Sequence, residues 1–220
     1  MRIVAGRHRG RRLAVPPGRD IRPTADRVRE ALFNMLEHGG FGPGGQSILP
    51  GARVLDAFCG SGALAFEALS RGAASATLLD ISEAALAAAR DNGRALGETQ
   101  RLTLLRRDPT APGLMTGAAP AAHGLAFLDP PYGGGLAWRA LSALDANGWF
   151  APDAVAVLEI GAKETVPEPP PGWTVLRERR YGAARLLLLR RVSAPAAAPA
   201  AGEPAAAPAG APRGGPPRRA

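Results

Sequence analysis

The chain has 220 residues, a formal net charge of +8 and a single cysteine, Cys59. This length accommodates one substantial domain, and one cysteine excludes a disulfide framework. The longest aliphatic run, Leu186 to Leu189, is far too short to span a bilayer, and the arginine-rich start lacks the apolar segment of a signal peptide. We therefore expect a cytoplasmic protein, with an organellar transit peptide as the less favoured alternative.

The positive charge is concentrated near the N-terminus. Arginine accounts for 26 of the 27 basic residues, which together with 28 glycines and 22 prolines is typical of GC-rich coding bias. Residues 1–50 nevertheless hold nine arginines against four acids, whereas residues 51–193 hold 15 basic residues against 14 acids. Coding bias does not explain that asymmetry, so the sequence predicts a polyanionic partner.

The first predicted unit, residues 1–22, is a basic extension that contains a small hairpin. Ile3-Val4 and Leu13-Ala14-Val15 are the candidate strands, and a turn rich in arginine and glycine separates them. The functional interpretation is contact with phosphates of a polyanionic partner, and the alternative is a solvated loop. The candidate residues for these contacts are Arg7, His8, Arg9, Arg11, Arg12 and Arg22.

Residues 23–50 are predicted to form a helix followed by a linker. Thr24 is a plausible N-cap. Val28, Ala31, Leu32 and Met35 recur at helical spacing and predict an amphipathic helix that packs on a core. The glycine- and proline-rich stretch 39–51 indicates a linker or flexible loop. At the other end of the chain, the Ala/Pro-rich segment 194–220 is predicted to be a disordered tail.

Residues 51–193 alternate between strand and helix patterns, which predicts an α/β domain. The expected strands are Val54-Leu55, Ala76–Leu79, Leu102–Leu105, Leu125–Leu128 and Val155–Ile160, and the expected helices are 63–71, 83–96 and 136–147. Trp173–Arg179 and Arg185–Arg191 flank Tyr181-Gly182 and predict a final antiparallel hairpin. This pattern favours a mostly parallel, doubly wound sheet with helices on both faces.

The stretch VLDAFCGSGALAFEAL, residues 54–69, predicts a strand, a glycine turn and a helix. Gly60 and Gly62 allow the backbone to approach a ligand closely, and Asp56 adds an acceptor beside them. The turn also matches the G-x-G-x-x-A pattern of dinucleotide sites, and an ordinary strand–helix turn is the third interpretation. This stretch alone predicts only a nucleotide-type ligand.

Four acids follow predicted strands: Asp56, Asp80, Asp108 and Asp129. In a doubly wound sheet the carboxyl ends of the strands border one crevice, so these side chains are expected near one another. Asp80 lies where a carboxylate accepts ribose hydroxyls, and Asp108 is a candidate for the adenine amine. This arrangement fits a dinucleotide and an adenosyl cofactor equally well.

The sequence Asp129-Pro130-Pro131-Tyr132 favours the adenosyl cofactor. The two prolines remove two N–H donors and leave acceptors, which suits a substrate amine that donates. Tyr132 offers a ring on which a flipped base could stack. Holding such an amine in line with an electrophilic methyl group is catalysis by positioning and electrostatics.

These motifs resemble class I S-adenosylmethionine-dependent methyltransferases, and more narrowly the RsmD family of bacterial 16S rRNA guanine-N2 methyltransferases. The resemblance covers residues 1–191 and includes MRIVAGRHRGRRL, RPTADRVREALFNML, LDAFCGSGALAFEALSRGA, the DPPY element and RRYGAARLLLLRR. It implies a Rossmann-like fold and S-adenosylmethionine as cofactor.

The resemblance also assigns roles to individual residues. It places the methionine end of the cofactor on Asp56, Gly60 and Gly62, the ribose on Asp80 and the adenine beside Asp108. It assigns the guanine amine to Asp129, Pro130, Pro131 and Tyr132, and 16S rRNA to the arginine-rich start. Asp80 stands where many relatives carry Glu, and Pro109 follows Asp108 where a small residue is more usual.

Three other functions remain open at this stage. The same Asp-Pro-Pro-Tyr site could accept the N6 amine of adenine in DNA or RNA, although the N-terminal motifs argue against it. A dinucleotide oxidoreductase would not explain residues 129–132. A ribosome-assembly factor with a vestigial site is the non-enzymatic alternative.

The remaining expectations concern partners and other side chains. We expect a monomer that acts on rRNA within a small-subunit assembly particle, without membrane association. Cys59 is expected to be a packing residue because amine methylation needs no covalent adduct. No cluster of Cys, His and acidic residues has metal-ligand spacing.

Overall fold

The computed structural model describes residues 1–15, 23–115 and 122–192. The candidate RNA contact Arg22 and the predicted tail 194–220 lie outside these ranges. The first helix begins at Pro23, and the side chain of the predicted cap Thr24 also lies outside the described part.

Within the described residues, seven strands form a single sheet in the order β3-β2-β1-β4-β5-β7-β6. The strands are β1 Arg53–Ala57, β2 Ser75–Asp80, β3 Leu102–Arg106, β4 His123–Leu128, β5 Phe150–Gly161, β6 Trp173–Tyr181 and β7 Ala184–Arg191. Strands β1 to β5 pair in parallel, and β7 runs antiparallel between β5 and β6. This confirms the predicted mostly parallel sheet with an antiparallel C-terminal hairpin.

The helices are α1 Pro23–His38, α2 Ala63–Ser70, α3 Glu83–Leu96 and α4 Leu136–Ala146. Helix α3 begins as predicted: the Ser82 hydroxyl accepts the N–H of Ala85 at 3.3 Å. It ends at Gly97, whose φ of 71° is the left-handed conformation that closes many helices. In the described ranges, no helix has both the length and the apolar character needed to cross a bilayer.

The sheet separates two hydrophobic clusters. The first lies on the face covered by α1, α2, α3 and the N-terminal segment, and it includes Phe33, Phe66 and Phe127. The second lies on the face covered by α4 and includes Leu141 and Trp149. Because side chains alternate along each strand, successive residues of β4 and β5 contribute to opposite clusters.

The N-terminal segment, residues 1–15, packs onto this scaffold. Its two predicted strands are reduced to an isolated antiparallel bridge between Arg2 and Arg12, with Ile3 and Leu13 buried beneath it. The carboxylate of Glu67, fully buried on α2, accepts the N–H of Val4 at 2.8 Å and that of the next residue at 3.0 Å. The segment is therefore fixed by backbone hydrogen bonds as well as by its apolar side chains.

The glycine-rich stretch after α1 also packs against the core. Phe41 and Leu49 are 8% and 1% exposed. Pro43–Gly45 forms a single 3₁₀ turn between them. These two buried anchors hold the stretch across the first hydrophobic cluster.

Candidate active site

The glycine turn connects β1 to α2 in left-handed backbone conformations. Phe58, Gly60 and Gly62 have φ values of 64°, 53° and 77°. The Cys59 N–H donates to the Leu79 carbonyl at 3.0 Å, which ties the turn to β2. A Cβ at Gly62 would lie 2.8 Å from atoms of the Leu78 and Phe66 side chains, so this position has no room for a side chain. The predicted strand, turn and helix are confirmed, although the positive φ of Phe58 was not anticipated.

Asp56 lies inside β1 and not beyond its end as the sequence suggested. Its side chain is 1% exposed, and Oδ2 accepts the Ala65 N–H in the first turn of α2 at 3.1 Å. Burial raises the pKa of Asp56 well above its usual value, and the negative charges of Asp129 and Asp80 raise it further, whereas the hydrogen bond from Ala65 lowers it. The carboxyl group thus lies beneath the glycine turn and links the strand to the helix.

Asp80 is the last residue of β2, and both of its oxygens face backbone donors. Oδ2 accepts the Gly60 N–H at 2.9 Å, and Oδ1 accepts the Ser82 N–H at 2.9 Å. Each carboxylate oxygen has two lone pairs, so both retain capacity for a ligand hydroxyl. The next residue, Ile81, is 63% exposed, which is unusual for a large aliphatic side chain beside a glycine turn.

Asp108 follows β3 and bonds within its own loop. Its Oδ1 accepts both the N–H and the hydroxyl of Thr110 at 2.8 Å, and the side chain is exposed. The Asp108 carboxylate is therefore oriented by a local turn, two strands away from β1.

The element Asp129 to Tyr132 follows β4 and borders a cleft of about 360 Å³, which we call the Asp129 cleft. Its walls come from the start of the chain, α1, the start of α2, the ends of β4 and β5, and the β6–β7 turn. The lining residues are Met1, Val28, Arg29, Leu32, Ala63, Leu64, Asp129, Tyr132, Glu159 and 181–184. Pro130 is buried and Pro131 is exposed, while the Tyr132 ring is 48% exposed.

Glu159 is a site residue that the sequence analysis missed. It lies on β5 between the buried residues Leu158 and Ile160, and its Oε1 accepts the Tyr132 hydroxyl at 2.8 Å. Burial raises the pKa of Glu159, and the hydrogen bond from Tyr132 opposes that shift. A single carboxylate within the apolar run Val155–Ile160 was the available signal, but only the folded chain shows that it borders the cleft.

Arg29 is a second missed residue, and it contributes a cation to the lining of the cleft. Its side chain is 5% exposed and donates to the Arg2 carbonyl at 2.6 Å and to Asp26 at 3.0 Å. Its Nε lies 3.9 Å from the Glu67 carboxylate and makes no hydrogen bond within the described part of the chain. The buried guanidinium fixes α1 against the N-terminal segment beside the cleft.

Some of the candidate RNA-binding residues bond to the protein itself, and others have exposed side chains. Arg7 and His8 both contact the carboxylate of Glu98, which is 2% exposed, although 48% of the Arg7 side chain is still exposed. Arg11 donates to the Ala95 carbonyl at 2.7 Å. The exposed side chains of this basic turn also include Arg9 and Arg12. The turn is thus anchored to the end of α3, with several guanidinium groups at the surface.

Cys59 is buried at 7% exposure and packs in the first hydrophobic cluster, as expected of a packing residue. Among the residues that the structure describes, no group of three or more His, Cys, Asp and Glu side chains could hold a metal ion.

Comparison with known proteins gives a consistent family. The family described as conserved hypothetical protein 95 matches residues 1–190. The ribosomal RNA small subunit methyltransferase D of Escherichia coli K12 is 34% identical over 87% of this chain and 90% of its own length. The protein of the same name from Haemophilus influenzae is 34% identical over 83% of this chain and 89% of its own length. The solved structure of yhhF from Escherichia coli superposes with a TM-score of 0.74 at 35% identity and covers 87% of this chain and 98% of that one.

Proposed function

Because the chain belongs to the conserved hypothetical protein 95 family, the RsmD family, we propose that it is an rRNA methyltransferase. Its substrate is the exocyclic N2 amine of a guanine in bacterial 16S rRNA, and its methyl donor is S-adenosylmethionine. Its Rossmann-like sheet is that of the class I methyltransferases. The substrate class follows the names of the relatives, and the chemistry of the cleft supports the choice of an amine.

The observation that carries the proposal is the continuity of the glycine turn with the Asp129 cleft. Ala63 and Leu64, which line the cleft, directly follow Gly62. A ligand on the turn and a base in the cleft would therefore meet at the start of α2. Asp129, an acceptor, lines the same cleft as these two residues.

The residues around the glycine turn fit S-adenosylmethionine. The Asp80 oxygens retain lone pairs for ribose hydroxyls, and the exposed Ile81 offers an apolar surface for the adenine ring. Gly60 and Gly62 let the backbone lie against the methionine end. Asp56 supports the turn from below, and we assign Asp108 to the adenine edge.

Catalysis by this site is a matter of orientation. When bound, S-adenosylmethionine would supply an electrophilic methyl group by direct in-line displacement, without a covalent enzyme intermediate. The methyl–sulfur bond would break as the nitrogen–carbon bond forms, so that S-adenosylhomocysteine leaves and the amine loses one proton. Asp129 accepts an N–H of the amine, which keeps the nitrogen lone pair available and orients it. Pro130 and Pro131 present no N–H donor to compete with the amine, and Tyr132 offers its half-exposed ring for stacking.

Recognition of rRNA is assigned to the basic turn of the N-terminal segment. Arg9 and Arg12 are exposed, and Arg7 and Arg11 keep exposed portions while bonding the protein. Such contacts position the enzyme on phosphates and carry little sequence information. We therefore propose that a pre-folded small-subunit particle supplies much of the specificity.

The test is transfer of labelled methyl from S-adenosylmethionine to small subunits that lack this methylation, followed by nucleoside analysis. We expect label in N2-methylguanosine, with transfer reduced about 10²-fold or more by Asp129→Asn at unchanged cofactor affinity. Label in N6-methyladenosine would overturn the guanine assignment. Absence of label on subunits, rRNA and DNA, despite cofactor binding, would favour the assembly-factor function.

A further inference from the structure

Two carboxylates, those of Asp129 and Glu159, line the Asp129 cleft from neighbouring strands. Strands β4 and β5 are parallel, and their last paired residues are Leu128 and Leu158. Asp129 and Glu159 each come one residue later, so they occupy adjacent positions on neighbouring strands, which are roughly 4.8 Å apart.

The two side chains also share a face of the sheet. Phe127 and Val157, two residues before Asp129 and Glu159, both belong to the hydrophobic cluster beneath α1 to α3. Because side chains alternate with a period of two, Asp129 and Glu159 are directed to that same face. Both line the cleft.

Glu159 has acceptor capacity that the protein does not use in the contacts described above. The Tyr132 hydroxyl donates to Oε1. An ionised carboxylate offers about four lone-pair positions, and burying it among apolar neighbours is unfavourable unless they are filled. A ligand that presents two adjacent N–H groups could donate one to each carboxylate.

The Watson–Crick edge of guanine is such a ligand, because it carries the N1–H beside the N2 amine. Adenine presents an acceptor at N1 beside its N6 amine, so a carboxylate facing that atom would repel it. Resting on the proposed guanine-N2 function, we propose that Glu159 is a specificity-determining residue that accepts the guanine N1–H while Asp129 accepts the N2 amine. Glu159 thereby selects guanine over adenine.

The experiment compares two bases at the methylated position, once that position has been mapped. Small subunits are reconstituted from ligated 16S rRNA that carries either guanine or 2-aminopurine there. The analogue keeps the N2 amine but has an acceptor at N1. A site built to receive an N–H rejects an analogue that lacks it, so we expect kcat/KM of the wild-type enzyme to fall about 10²-fold or more.

Glu159→Gln is the matched variant. Its amide can donate to N1 of 2-aminopurine, so we expect the guanine preference to fall by at least about 10-fold as the guanine rate drops. Tyr132→Phe is the control, since it removes the hydroxyl that bonds Glu159 and keeps the carboxylate. It should slow both substrates equally and leave the preference unchanged. Cofactor affinity of each variant verifies that the fold is intact.

The outcomes separate the two hypotheses. N2-methylguanosine on guanine-containing subunits, with similar wild-type rates on both bases, would overturn the role of Glu159 and leave the proposed function in place. A Glu159→Gln variant that slows both bases equally would also overturn it, because Glu159 would then only hold Tyr132. No methylation of guanine by the wild-type enzyme would overturn the proposed function and the inference together.

Discussion

Replacing Gly62 by alanine tests how tightly the glycine turn is packed. Gly62 has a φ of 77°, and a Cβ there would lie 2.8 Å from Leu78 Cδ2 and from Phe66 Cε2. Gly97, at the end of α3, has a similar φ of 71°, but nothing lies within 4 Å of its Cβ position. Gly97→Ala is therefore a matched control that shares the backbone conformation without the collision.

The two substitutions should change the free energy of unfolding by different amounts only because of the collision at Gly62. A left-handed non-glycine residue is unfavourable by about 1–2 kcal/mol, which applies to both variants. Forcing an extra carbon into a packed core typically adds about 1–3 kcal/mol, which applies only at Gly62. The entropy that alanine removes from the unfolded chain is the same in both and cancels. We expect Gly97→Ala to lower the free energy of unfolding by about 1–2 kcal/mol and Gly62→Ala by about 2–5 kcal/mol.

Equilibrium urea unfolding measures this difference, provided that the m-value stays constant. Equal destabilisation of the two variants would show that Leu78 and Phe66 move aside without resistance. A larger effect at Gly97 would refute the reasoning altogether. In either case the turn would not be the rigid support that the proposed cofactor site requires.

Three further predictions concern single side chains. Ile81→Ala should raise the Kd for the cofactor about 5- to 10-fold, because apolar contact with the adenine ring is lost. The free energy of unfolding should not change, since the side chain is exposed. A Kd that calorimetry finds unaltered would mean that the adenine ring binds elsewhere. Arg9→Gln should reduce the slope of log affinity for rRNA against log salt concentration by roughly 0.7–0.9. Arg139→Gln, on α4, is the control and should leave that slope unchanged. If filter-binding assays gave the same slope for both variants, the assignment of rRNA binding to the basic turn would be contradicted. Because burial raises the pKa of Asp56 in the folded state, its ionisation lowers stability as pH rises above its unfolded pKa of about 3.9. The free energy of unfolding of Asp56→Asn should therefore rise relative to that of the wild type as the pH increases from about 3.9 to the raised folded pKa. Above that pKa the difference between the two proteins should stay constant. Urea unfolding at a series of pH values measures it, and a difference that does not change from about pH 4 upward would refute this prediction.

The alternation of strands and helices was predictable because it depends on local patterns. Apolar runs, the Ser82 cap and the glycine that ends α3 all act within a few residues, and the structure confirms each of them. Asp56 was misplaced because sequence gives no exact end for a strand. Its burial beneath the turn is set by the contact with Ala65 in α2.

Contacts between residues far apart in the chain could not be predicted from local sequence patterns. Arg7 and His8 were interpreted from their charge alone, yet both contact Glu98, which lies some 90 residues away in the chain. Glu159 was not singled out within the expected strand Val155–Ile160, and only the pairing of β5 with β4 places it beside Asp129. Such residues acquire their roles from tertiary neighbours, which no local pattern encodes.

The anchoring of the first fifteen residues constrains the order in which the newly made chain becomes ordered. The partners of this segment come much later: Glu67 bonds Val4, and Asn92 bonds both backbone groups of Ala14. At about 5–20 residues per second, a ribosome needs roughly 4–16 seconds to add the next 78 residues, from Ala14 to Asn92. During that interval the backbone N–H and carbonyl of Ala14 lack their Asn92 partner. A nascent chain arrested before α3 would consequently lack this anchor for the N-terminal segment.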